Sequence, residues 1–231
     1  MSVIGAIPIN KIIAIVGTAT TSREQANELP PEVERWGLAS CYTFLNQIDR
    51  YFEVHTREWI LTRAGKQYFP YLRFLQHFDG PVYMLEVDPT IPHAQLYPLE
   101  QMAQKFYPDS SDKPYFTSTL AYMMALAISE QPKEIQLFGV DFSTRMEYAH
   151  QRGGCEYFIG WAIANGIKVT IPRTSPILKA PLYGMRRDSK LTQDTILEHI
   201  QSLKQREQIA VEGLVSLRAQ IGENERWLER E

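Results

Sequence analysis

The run KIIAIVG at Lys11–Gly17 limits the fold of this chain more than any other segment. A strand with one wet face alternates apolar and polar residues. An unbroken β-branched run that stops at a glycine offers no polar face, so it is expected to be buried on both sides, as in a parallel sheet covered by helices. RWGLASC, RYFEVHT, VYMLEV, EIQLFGVDF and IKVTIP are further strand candidates. Helix-compatible stretches alternate with them. REWILTRAGKQYFPYLRFLQHF (57–78) is amphipathic, TSTLAYMMALAISEQ is apolar around most of its circumference, and CEYFIGWAIANG closes at Gly166. This alternation predicts an α/β fold with a doubly wound, mainly parallel sheet. TATTSREQANELPPEVE is expected to hold only a short helix or turn, because Pro30 and Pro31 break it. The Pro- and Tyr-rich stretch 88–114 reads as a loop or lid with a short helix in YPLEQMAQKFY.

Residues 1–180 read as one ligand-binding domain and 188–231 as a C-terminal helical tail. Between Leu191 and Glu231 there is no proline. Ile196, Ile200, Leu203, Ala210, Leu214, Leu217, Ile221 and Leu228 fall on an alternating four-and-three spacing, with Glu207 and Asn224 at two seam positions. That is a coiled-coil-like stripe, and a homo-oligomer through this helix is expected. The competing reading folds the helix back on its own domain. Gly213 and Gly222 each weaken the helix by roughly 1 kcal/mol relative to alanine, so packing against a partner must compensate.

Composition excludes more than it assigns. With 44% hydrophobic residues the chain can bury a full core, and a formal charge of −3 gives no chain-wide cationic field for coating nucleic acid. Nucleic acid is expected at most as an acceptor. Cys41 and Cys155 are too few and too far apart for a disulfide framework or a cysteine-rich zinc site. The opening MSVIGAIPINKIIAIVG lacks a basic leader and a cleavage pattern, and no run approaches the roughly 20 apolar residues of a membrane span. The expectation is a soluble, unprocessed cytoplasmic protein without a membrane partner.

In an open parallel sheet, ligands bind beyond the carboxyl ends of the strands. The residues there are therefore the candidates. The first tip, Gly17-Thr18-Ala19-Thr20-Thr21-Ser22, combines a glycine that admits close approach with hydroxyls that can donate to phosphate oxygens. An ordinary helix cap by Thr21 or Ser22 explains it equally well. The second and third tips offer Ser40 with Cys41, and Glu53 with His55 and Thr56. Glu53 and His55 face the same way, although a lone strand-tip histidine is more often structural. Thr117, Ser118 and Thr119 stand where a buried helix begins, at the positive end of its dipole. Gly139 and Asp141 end the strand EIQLFG, and Glu147, Tyr148, His150, Gln151 and Arg152 follow on an expected loop, with Gly153 and Gly154 as its hinge or, equally well, as a simple turn. Nucleotide transfer needs a cation for the leaving phosphate and a base for the acceptor hydroxyl. Arg152 and His150 are the candidates for those roles, with Asp141 or Glu147 orienting the base. No metal-ligand spacing is present, so no metal is expected. Arg173, Lys179, Arg186 and Arg187 read as a solubilising linker.

IVGTATTS together with TSTLAYMMALAISEQPKEIQLFGVDF resembles a Rossmann-like superfamily. It includes bacterial sialyltransferases that use CMP-sialic acid and a domain-of-unknown-function group related to 6-hydroxymethylpterin pyrophosphokinase. The wider pattern, from WGL through DRYFEVH and EYAHQRGGCEYFIGWA to GIKVTIP, also looks like small proteins common in tailed-bacteriophage genomes. The resemblance spans about Ile12 to Pro172. It implies a Rossmann-like fold in which Gly17 to Ser22 and Thr117 to Thr119 face a nucleotide and Asp141 anchors a strand end. His150 is matched as the base by position alone. Two departures stand out: the first loop reads GTATTS where relatives more often have GxGPS, and Ser118-Thr119 lacks the family's glycine. The resemblance implies a phage-type, glycosyltransferase-like transferase with a nucleotide or nucleotide-sugar ligand and no covalent cofactor. The alternatives are a non-catalytic nucleotide-sequestering module and a structural phage protein that oligomerises through its C-terminal helix.

Overall fold

A computed structural model describes residues 9–58, 60, 68–107, 115–142, 146–179 and 193–228. It divides into two compact units, residues 1–179 and 180–231.

The first unit is built on seven parallel strands. In chain order they are β1 (Ile9–Val16), β2 (Glu34–Leu38), β3 (Arg50–Phe52), β4 (Val82–Met84), β5 (Ala94–Leu96), β6 (Pro132–Phe138) and β7 (Lys168–Thr170). Their spatial order is β5-β4-β3-β2-β1-β6-β7, so the fold is α/β, Rossmann-like and doubly wound. The chain moves outward from β1 to β5 and then returns to the other side of β1. The strand order therefore reverses between β1 and β6, and the two carboxyl ends diverge above that junction. β1 is central because it can be: Ile13, Ala14, Ile15 and Val16 are all fully buried, so the polar-free run reads correctly as a strand covered on both faces.

Helices α1 (Tyr68–His77), α2 (Leu99–Phe106), α3 (Thr119–Ser129) and α4 (Met146–Ala164) flank the sheet. α3 buries every residue from Leu120 to Ile128 except Tyr122, which explains its apolar circumference. It begins where Ser118, in extended conformation, accepts a hydrogen bond from Ala121 N. It ends at Ser129, and Gln131, with φ of 52°, turns the chain into β6.

Two sequence expectations need correction. The stretch read as a loop or lid contains β5, which pairs in parallel with β4, whereas the short helix expected in YPLEQMAQKFY is present as α2. β5 is only three residues long and half-polar, too short for a periodic signal. Residues 108–114 lie outside the described residues. Second, His150, Gln151 and Arg152 are not on a loop, and Gly153 and Gly154 are not a hinge: all five lie inside α4. The glycines are there for clearance. A Cβ at Gly154 would collide with Thr117 Oγ1, and one at Gly153 would stand 2.5 Å from the Tyr115 hydroxyl.

At the lower end of the sheet, two cations and two carboxylates pair with one another. Lys11 bridges Glu34 and Glu130, Arg50 bridges the same two carboxylates, and Trp36 Nε1 donates to Glu34 at 3.0 Å. Burial by itself would raise the Glu34 carboxyl, but the hydrogen bonds from Lys11 and Trp36 and the charge of Arg50 carry it below its ordinary value.

The second unit contributes α5 (Gln193–Leu228), a single helix of 36 residues. No helix among the described residues is long and apolar enough to cross a membrane.

This packing can be tested at two places. Gly139 has φ +62°, and an added Cβ would stand 2.5 Å from Gly17 O. Gly139→Ala is expected to lower stability by about 1–3 kcal/mol in urea denaturation. Burial pushes the Cys41 thiol up from 9.0 to about 11 and Cys155 to about 12. The unfolded chain releases these protons first. Their contribution to stability is thus complete below about pH 9 and declines as pH rises through the folded values, which a urea-midpoint series from neutral to alkaline pH would record.

Candidate functional site

At the β1–β6 junction the two strand tips come into close backbone contact. Gly17 N donates to Phe138 O at 2.8 Å and Ala19 N to Gly139 O at 2.9 Å. A Cβ on Gly17 would collide with Gly139 O. Both tips therefore require glycine, and the chain after each is free to open over the crevice.

Two of the first-tip residues are already engaged. Ser22 is 3% exposed, and its Oγ accepts from Gly139 N at 2.9 Å, locking the two tips together. Thr21 Oγ1 donates to Asp141 Oδ2 at 2.8 Å. Thr18 and Thr20 remain exposed at the rim. Behind them the buried Arg35 guanidinium donates to the carbonyls of Ala26, Leu29 and Val33, which fixes the path of the segment that follows the loop.

Asp141 is the unusual residue. It is 5% exposed, and its Oδ1 has no hydrogen-bond partner among the described residues. An unpaired buried carboxylate oxygen costs about 1–3 kcal/mol or more, so native chains rarely keep one without a use for it. Along the same tip runs Arg23, a residue that the sequence reading passed over: a Cβ added at Gly139 would stand 2.8 Å from its own. Its Nη1 donates to Thr18 O at 3.1 Å, its guanidinium lies 4.4 Å from the Phe44 ring centre, and its Nε is likewise buried without a partner. The signal was present in TTSREQ, but an arginine just inside a polar turn looks like surface charge until the turn is folded onto β6.

The segment after β7 laces this crevice together, contrary to its reading as a linker. Thr174 Oγ1 donates to Thr21 O at 3.4 Å and Ser175 Oγ to Val140 O at 2.6 Å. Arg152 Nη2 donates to Pro176 O at 2.9 Å while its Nε donates to Glu156 at 2.8 Å. Arg152 is thereby held as a brace between α4 and this segment. Thr117 Oγ1 reaches Gln151 O at 3.5 Å, joining the start of α3 to α4. Thr117 and Ser118 thus have structural contacts, and Thr119 opens α3. His150 is exposed in the first turns of α4. The side chains of Glu147 and Tyr148 lie outside the described residues.

The β2 and β3 tips form a separate ledge. Ser40 is exposed and accepts through its carbonyl from Thr43 Oγ1. Glu53 is buried at the end of β3, accepting from Tyr71 OH at 2.5 Å and from both the backbone N–H and the Nδ1 of His55, at 2.9 and 2.6 Å. A carboxylate only accepts, so the His55 proton sits on Nδ1 and the basic lone pair on Nε2. Arg57 clamps the buried Asp88 through two contacts, which fixes the other end of the His55 loop. The sequence placed Glu53 and His55 on one side but gave no sign of Tyr71. Among the described residues no group of three His, Cys, Asp or Glu side chains is arranged to hold a metal ion.

No protein-family model matches this chain, and no curated protein matches it. Among solved structures, it is similar to the sialyltransferase CstII from Campylobacter jejuni in complex with the substrate analogue CMP-3FNeuAc, at a TM-score of 0.48 and 16% identity over 72% of this chain and 81% of that one. A structure of sialyltransferase CST-II with a trisaccharide acceptor and CMP gives a TM-score of 0.45 and 18% identity, over 72% and 82% of the two chains.

Ser22→Ala leaves Gly139 N–H buried without an acceptor. It is expected to destabilise the protein by about 1–3 kcal/mol, read as a lower urea midpoint with an unchanged slope.

Proposed function

We propose that the first unit binds a nucleotide or nucleotide-sugar and transfers a glycosyl-type group from it. The observation that carries this reading is that Asp141 Oδ1 and Arg23 Nε are both buried without a partner among the described residues, one on each of the two segments that leave the point where the strand order reverses. An unsatisfied acceptor on one segment and an unsatisfied guanidinium donor on the other suit a ligand that presents hydroxyl or amino donors and a phosphate together. A nucleoside phosphate has both. Its ribose or base donors would meet Asp141, and its phosphate would meet Arg23 and the rim hydroxyls of Thr18 and Thr20.

Transfer also needs a base for the acceptor hydroxyl. Either histidine is chemically suited, His150 on α4 or His55 on the β3 ledge. The Glu53 carboxylate favours His55, because it fixes the ring and its tautomer in the manner of an oriented general base. β3 lies two strands from β1, so its tip is about 10 Å along the sheet edge, a separation that one nucleotide-sugar spans. Arg152, braced by Glu156 and Pro176, is less suited than Arg23 to stabilise the leaving phosphate. That bracing also favours, as a second reading, a module that binds its nucleotide without turnover.

A thermal-shift panel of cytidine, uridine, guanosine and adenosine phosphates with their sugar conjugates tests the reading, followed by assay of donor consumption. At least one nucleotide is expected to raise Tm. Asp141→Ala should weaken that ligand roughly tenfold to a hundredfold. His55→Gln should reduce donor consumption by about 10²–10⁴, with His150→Gln near wild type. A ligand bound but never consumed supports the sequestering module, and no shift with any nucleotide removes the proposal.

A further inference from the structure

The second unit presents an apolar stripe to solvent. Along α5, Ile200, Leu203, Leu214, Leu217 and Ile221 are 40–57% exposed although large and aliphatic. They occupy the seam of a heptad repeat that also includes Glu207, Ala210 and Asn224. Lys204, Val211, Arg218 and Glu225 run along one flank of that seam.

We propose that α5 pairs with α5 of a second copy of this chain, and that the two helices run antiparallel. The charge layout selects this arrangement. In a parallel, in-register pair, Glu207 faces the partner's Glu207 inside the seam with only Arg206 beside it, and the flanks pair no opposite charges: Lys204, Arg218 and Glu225 would face the partner's His199, Gly213 and Gln220. Reversing one helix allows a register in which Leu214 meets the partner's Leu217, Ala210 meets the partner's Ile221, and Glu207 meets the partner's Asn224. The two polar seam positions then share a layer, where an amide can donate to a carboxylate. Reversal also brings the same flank of both helices together. In this register Lys204 faces the partner's Glu225, and the Arg218 stem lies over the partner's Val211.

Sliding the pair by one heptad destroys that match. In one direction Lys204 meets the partner's Arg218. In the other, Arg218 meets the partner's Arg218. One antiparallel register therefore satisfies the seam and the flank together, and because every contact is two-fold symmetric, it closes as a dimer. Gly213 sits on the opposite flank, where it faces the partner's Gln220 and leaves room for that longer side chain as the helices approach. This gives physical use to a glycine that otherwise weakens the helix.

Full-length protein tests the pairing. Sedimentation is expected to show a dimer at micromolar concentration. Leu214→Glu combined with Leu217→Glu should weaken it at least a hundredfold, and circular dichroism should show that the first unit stays folded. Lys204→Glu should loosen the dimer, and adding Glu225→Lys to the same chain should restore it, a rescue that only this register predicts. Mild oxidation supplies an independent reading, since native Cys41 and Cys155 are buried. Lys204→Cys protein mixed with Glu225→Cys protein should form a disulfide-linked heterodimer, whereas Leu203→Cys alone should not link to itself. A self-linked Leu203→Cys variant means a parallel pair and overturns the proposal. So does a monomer at micromolar concentration, whether α5 is solvated or folded back on its own chain.

Discussion

The contact of Gly17 with the Gly139 carbonyl is the constraint on which the rest of the first unit depends. It lets β1 and β6 run side by side to their last residues before their continuations part. With side chains at either position, the Phe138 and Gly139 carbonyls could not accept from Gly17 N and Ala19 N, and the Ser22 bond to Gly139 would have no geometry to fill. The crevice arises because two backbones with no Cβ between them separate at this level and nowhere lower.

Polar satisfaction differs between the two ends of the sheet. Below, Lys11, Arg50, Glu34 and Glu130 neutralise one another around Trp36. Above, Asp141 and Arg23 each keep a buried atom without a protein partner among the described residues. Tyr107 OH and Gln136 Oε1 are also buried without a partner among the described residues, but of these four groups only those of Asp141 and Arg23 belong to charged side chains, and both residues lie on segments leaving the β1–β6 tips, where a guest can relieve the cost of desolvation. The His55–Glu53–Tyr71 chain is the converse case, a polar network in which Glu53 is bonded through both oxygens under the aromatic cluster of Tyr42, Tyr51, Phe74 and Phe78. There the bonding fixes a ring in place.

The sequence was readable where the physics is local. KIIAIVG announced a doubly covered strand because side-chain branching and burial act on the same residues. TSTLAYMM announced a buried helix for the same reason, but not which of Thr117, Ser118 and Thr119 caps it. Asp141 and Gly139 were legible as strand-tip residues. What could not be read was anything set by folding distant segments together. The polar composition of EYAHQRGG resembles a loop, but helix α4 forms through it because Tyr115 and Thr117 pack onto its glycines. PRTSP reads as a linker until Thr174 and Ser175 are seen to tie Thr21 to Val140. Arg23 lacks any distinguishing neighbour in the chain, and its place against Gly139 exists only after β6 has been laid against β1.

That last ordering bears on how the molecule is made. Ser22 and Gly139 are separated by 117 residues, so one side of β1 stays without its ladder while β2 to β5 assemble on the other. During synthesis this side is a raw, aliphatic sheet margin able to recruit strands from neighbouring nascent chains. Pauses or truncations before Pro132 would thus endanger solubility far more than lesions in the long C-terminal helix.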